Sequence, residues 1–231
     1  MTYRGHENRG AWQDAAPPAV ERERSGGAEG NERLTAATGA VLLLLLAAEG
    51  LTILSIDGLL TLHFFIGMLL LGPVALKAGA VLYRFFRYYA GSGPYRRKGP
   101  PAPLLRLLGP VLMLLTAVVF GSGVVLAIAG PSGREPWLLF HKASFILWFG
   151  AMAIHVLAYL PRLPRLLSAE ARGAASSQRG GRHATRAAQV LGGRGVRLSL
   201  LIASLAAGLV IALLTVHLAG AWEAPGNFFL H

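Results

Sequence analysis

The 231-residue chain is 54% hydrophobic and only 14% charged, with a mean hydropathy of +0.51. Charged residues fall well below the roughly 25% of a soluble protein, and one core cannot hide so much apolar surface, so the composition excludes a soluble domain in favour of an integral membrane protein. The formal charge of +11 would point to a polyanion partner in a soluble chain, and the absence of cysteine removes disulfides, thiolate metal sites, iron–sulfur clusters and covalent C-x-x-C-H attachment of a cofactor.

Residues 1–33 are polar and glycine-rich, with the mixed charges Glu21-Arg22-Glu23-Arg24. They lack the apolar content to fold alone, so a disordered cytoplasmic tail is expected. A cleavable signal peptide would open with a short basic region, so the first helix is expected to be retained. Five apolar runs follow, at 34–56, 58–82, 104–128, 137–160 and 198–219. Each has about the ~20 residues that a ~30 Å hydrocarbon layer requires. Gly72-Pro73 predicts a kink in the second, and Pro161 closes the fourth.

The loops give the orientation. Segment 83–103 carries Arg84, Arg87, Arg96, Arg97 and Lys98, and segment 161–197 carries Arg162, Arg165, Arg172, Arg179, Arg182, Arg186, Arg194 and Arg197. The alternate connections hold Asp57, then Arg134 and Glu135, and the tail at 220–231 holds Glu223. By the positive-inside rule the N-terminus is inside and the C-terminus outside, in the cell (inner) membrane. The net charge is thereby accounted for without nucleic acid. The expected fold class is all-α, a five-helix membrane bundle in which helices two to five, or one to four, surround a site.

Ionisable groups inside spans are costly and are functional candidates by default. Here they are Glu49, His63, Lys77, His141, His155 and His217. His63 and His141 lie near the outer ends of helices two and four, which run the same way. The second position of each helix follows at one spacing, Lys77 (77 − 63 = 14) and His155 (155 − 141 = 14). That spacing is roughly 21 Å of descent and returns to nearly the same helix face. A haem between two helices takes one imidazole on each side of the iron, so its ligands must come from facing helices at one depth. The outer pair, His63 and His141, meets that requirement. At the inner level Lys77 faces His155, a candidate for a second site. Lysine ligates iron only as the neutral amine, and snorkelling to the headgroups offers its ammonium an easier place.

Gly67, one turn from His63, and Gly121 and Gly123 on helix three leave room for a flat cofactor, although glycines also serve helix packing in any membrane bundle. Met113 is at an inner depth, where packing is the commoner role. Glu49 can bond to a histidine ring nitrogen, accept a proton, or stand as a protonated structural acid. His217 falls at the headgroup level, and His183 and His231 fall in solvated segments. The sequence carries no G-x-x-x-x-G-K-[ST] loop, H-E-x-x-H pair or G-x-S-x-G elbow.

Over residues 58–160, on Leu62-His63-Phe64-Phe65-Ile66-Gly67 and Phe140-His141-Lys142-Ala143-Ser144-Phe145 with His155, the chain resembles bacterial b-type membrane cytochromes, the class that includes ferric-reductase-like transmembrane proteins. Both ligand helices of that class often carry two histidines, and Lys77 departs from the pattern. The resemblance implies non-covalent haem b and electron transfer, by an electron-carrier subunit of an oxidoreductase rather than a stand-alone enzyme. One haem per chain is expected, with Lys142 and Arg134 beside its propionates and a quinone or a partner redox subunit exchanging electrons with it. The competing expectation is a cofactor-free membrane subunit or small transporter whose histidines relay protons or pack.

Overall fold

In the computed structural model, the described residues are 19–97, 103–162, 168 and 184–223. They form α1 (Ala19–Ile53), α2 (Ile56–Tyr89), α3 (Gly93–Arg97), α4 (Pro103–Ala129), α5 (Trp137–Tyr159), α6 (Ala184–Thr215) and α7 (Gly220–Glu223), with 3-10 turns at Pro131–Gly133, Leu160–Arg162 and Val216–Ala219. Among the described residues there is no strand. Five stretches are long and apolar enough to cross a membrane: Gly30–Ile53, Ile56–Tyr89, Arg106–Ala129, Trp137–Ala158 and Arg194–Trp222. Helices are the economical solution here, because each satisfies its own backbone N–H and C=O groups where no water can. The fold is therefore an all-α, multi-pass membrane bundle. Its outward faces carry the apolar residues, with Leu54 80%, Ile128 74% and Leu44 73% exposed, the inverse of a soluble surface.

The boundaries depart from the apolar runs in three places, one of them the fifth helix, which begins at Ala184 rather than 198, so residues 184–197 of the expected basic loop 161–197 are helical. Of the segment expected to be disordered, residues 19–33 are helical and continue into the first span. Asn31 Nδ2 donates to the Ala80 carbonyl at 3.1 Å, which ties this end of α1 to α2. The second helix runs on past residue 82 to Tyr89, because Arg84-Phe85-Phe86-Arg87-Tyr88-Tyr89 suits both a helix and the membrane–water interface. The predicted kink also moves. Pro73 is buried within α2, and the one residue with non-helical backbone is Leu59, at φ −121° and ψ 17°. Residues 1–18 of the tail, most of the basic segment 161–183 with His183, Lys98, and the end of the outer tail with His231 lie outside the described residues.

Backbone turns, one side-chain bond and a close glycine crossing fix the packing directions. α1 and α2 form a hairpin closed by Leu54 N→Leu51 O and Ser55 N→Thr52 O bonds. α4 and α5 form a second hairpin, turned through Gly130 at φ 67°, a conformation that favours glycine. In it Trp148 Nε1 donates to Thr116 Oγ1 at 2.9 Å. α6 lies along the other face of α2, where Gly72 and Gly208 cross. A Cβ on Gly72 would collide with the Ser204 carbonyl, and one on Gly208 with the Leu69 carbonyl, so the two backbones meet as closely as small residues permit. The hairpins touch each other only lightly, mainly where Met68, Ala127 and Ala212 pack. Between them lies a cavity of about 1530 Å³ walled by α1, α2, α4 and α5. The first four spans thus surround the site, and α6 braces α2 from behind.

Candidate functional site

Two histidines and one carboxylate occupy one level of this cavity. His63 on α2 and His141 on α5 both line it. Each has its Nδ1 engaged in its own hairpin. Thr52 Oγ1 donates to the Glu49 carbonyl at 2.6 Å, so it is the acceptor for His63 Nδ1–H at 2.9 Å. Glu49 Oε1 stands 3.1 Å from the same nitrogen. On the other side Ser122 Oγ donates to the Val119 carbonyl at 2.9 Å and faces His141 Nδ1 at 2.9 Å. His141 Nδ1 is also 3.1 Å from the Val119 carbonyl. A carbonyl only accepts, so this network assigns the proton of His141 to Nδ1. In both rings the tautomer leaves Nε2 with a bare lone pair.

Small residues make room for these groups. A Cβ at Gly123 would stand 3.2 Å from His141 Cε1, and one at Gly67 would stand 3.3 Å from Glu49 Oε1. Gly67 therefore seats the carboxylate beside His63. Gly121 meets nothing within 4 Å and is exposed. Residues two apart on a helix point to nearly opposite sides, so Gly121 leaves the set of cavity-lining candidates. Glu49 Oε2 is buried and has no hydrogen-bond partner among the described residues, an orphaned acceptor at the edge of the cavity.

The second level lies deeper between the same helices. Lys77 and His155 line the cavity there. Snorkelling was the expectation for Lys77. Instead its Nζ donates to the Thr35 carbonyl of α1 at 3.1 Å, in a niche where a Cβ on Gly39 would stand 2.7 Å away. The absence of a side chain at Gly39 brings a helix carbonyl within easier reach than the headgroups. Of the other predicted residues, Lys142 lines the His141 end of the cavity and Met113 lines its interior. Arg134, in the turn before α5, does not line it, and neither does His217, which is exposed in the 3-10 turn after α6.

Thr52, Ser122, the Val119 carbonyl and Gly39 were not among the sequence candidates. Their signal in the sequence is weaker than that of an ionisable group: a hydroxyl inside a span, with Ser122 set between Gly121 and Gly123. Comparison with protein-family models, with characterised proteins and with solved structures finds no match to this chain.

Proposed function

We propose that the chain is a membrane haem b electron-transfer protein that holds one haem between His63 and His141. The observation that carries the reading is the pair of imidazoles, on parallel helices and facing one cavity, each with Nδ1–H bonded and Nε2 bare. Bonding of the second ring nitrogen is what orients a histidine ligand and fixes its tautomer. The residues fit the group in other respects. Among the described residues no three His, Cys, Asp or Glu side chains cluster as a bare metal site would need, whereas two imidazoles are the full protein share of a bis-histidine haem. The walls are mostly aliphatic and aromatic, and the volume exceeds the ~300–1,000 Å³ common for a small-molecule site. Lys142 stands at the mouth beside His141 as a partner for a propionate. When bound, such a haem supplies one-electron exchange between ferrous and ferric iron.

The chain's own contribution is to orient both imidazoles and, with the cavity between the hairpins, to keep water from the iron. It is placed in the cell (inner) membrane with its N-terminus inside, on the loop charges alone. A quinone or a partner redox subunit is the electron exchanger this reading requires. The protein is then a carrier subunit rather than a stand-alone enzyme, one of the b-type membrane cytochromes that its histidine segments resemble. The visible spectrum of protein purified from haem-supplied cells tests the reading. Sharp reduced bands that vanish in His63→Ala and in His141→Ala are expected. A colourless protein, with the histidines serving proton relay or packing in a cofactor-free subunit or transporter, would overturn it.

A further inference from the structure

The fourteen-residue offset between the two levels runs through all four helices around the cavity. On α1, Glu49 beside His63 is matched by Thr35 beside Lys77 (49 − 35 = 14), and buried Thr52 by buried Thr38 (52 − 38 = 14). On α4, Gly123 is matched by Gly109 (123 − 109 = 14), and both line the cavity. The second level is thus a copy of the first in which an ammonium replaces an imidazole, and Gly109 has nothing within 4 Å of its Cβ position. Open space remains at this level, and its chemistry has changed from metal ligand to fixed cation.

The charge around that space is mostly of one sign. Lys77 uses one of its three donors on the Thr35 carbonyl and has no carboxylate partner among the described residues. Arg84 follows Lys77 on the same face of α2 (84 − 77 = 7), about two turns and roughly 10 Å further along. Arg106, from α4 across the cavity, donates to the Tyr89 hydroxyl at 2.8 Å. All three cations line this end, where Glu32 is the one carboxylate among the described lining residues. Beyond them the cavity is apolar and lies between two hairpins that barely touch.

We infer that the Lys77 end of the cavity is a binding site for an anionic membrane lipid, whose headgroup phosphate lies at Arg84 and Arg106, whose ester oxygens face Lys77, and whose acyl chains fill the apolar space beyond. Phosphate suits guanidinium groups geometrically, and basic pockets between membrane helices are recurrent sites for anionic headgroups. The site does not depend on the haem reading. Haem between His63 and His141 would lie at the other level, roughly 21 Å from Lys77 by the fourteen-residue rise.

The test is lipid retention by the purified full chain after exchange into an equimolar mixture of phosphatidylglycerol and phosphatidylcholine, read by mass spectrometry of the intact protein. Preferential retention of phosphatidylglycerol is expected, falling about fivefold for each guanidinium removed in Arg84→Gln and Arg106→Gln. The charge-preserving Arg84→Lys/Arg106→Lys variant should keep the preference, which separates loss of charge from loss of fold. Arg87→Gln/Arg96→Gln removes equal charge outside the cavity and should change little. Equal retention of the two lipids would overturn the site, and an equal loss in the Arg87/Arg96 variant would reassign the preference to the general lipid annulus. Inorganic phosphate binding as tightly as the lipid would show that a free anion, not a lipid, is recognised.

Discussion

His141 Nδ1 at 3.1 Å from the Val119 carbonyl is the single contact with the most chemical content, because it dictates which ring nitrogen is free. Ser122 and Thr52 repeat that service in the two hairpins. Ser122→Ala and Thr52→Val should each weaken haem retention by about 10–100-fold, the usual cost of removing a partner behind a ligand. Haem titration of the apoprotein measures this, and unchanged affinity in both variants would refute the orienting role. Gly123 and Gly121 offer a sharper contrast. Gly123→Val drives a side chain into His141, whereas Gly121→Val enters open space. The first should broaden or abolish the spectrum and the second should leave it intact. That His63 and His141 share one cavity was legible from the sequence, since each sits near the start of an apolar run on helices that run the same way. Their partners were not, because Thr52 and Ser122 gain meaning only when α1 folds on α2 and α4 on α5.

The spans themselves were legible because a bilayer imposes a length on every crossing helix. Their ends were less so. Apolar content marks where the hydrocarbon begins, whereas the helices at residues 19–33, 83–89 and 184–197 continue in polar, basic and aromatic sequence where hydropathy is silent. The position of α6 could not be read at all, since Gly72 and Gly208 are unremarkable until they face each other. Their crossing predicts a specific weakness. Gly208→Leu should destabilise the bundle by about 1–3 kcal/mol, the usual cost of overpacking a tight contact, and separate α6 from α2. Gly58→Ala, with open space around it, should cost little beyond noise. Unfolding of the two variants in mild detergent, followed by far-UV circular dichroism, gives the comparison.

At the scale of the whole molecule, two hairpins form opposite walls of one cavity, and the levels within it differ in chemistry. The orientation proposed from the loop charges is checked by cysteine labelling. A cysteine at Gly93 should resist an impermeant thiol reagent in intact cells, while one at Ser132 should react. The reverse pattern would invert the topology and place the paired histidines on the cytoplasmic side. The contents of the cavity are tested most directly by the haem-to-chain ratio from a pyridine haemochrome assay. With His63 and His141 as the axial pair and Lys77 held by the Thr35 carbonyl, the account predicts about one haem per chain, lost in His63→Ala and in His141→Ala and retained in His155→Ala, Lys77→Ala and His217→Ala. A ratio near zero in the haem-supplied wild type, or a ratio near two that falls to one in both His155→Ala and Lys77→Ala, would contradict it.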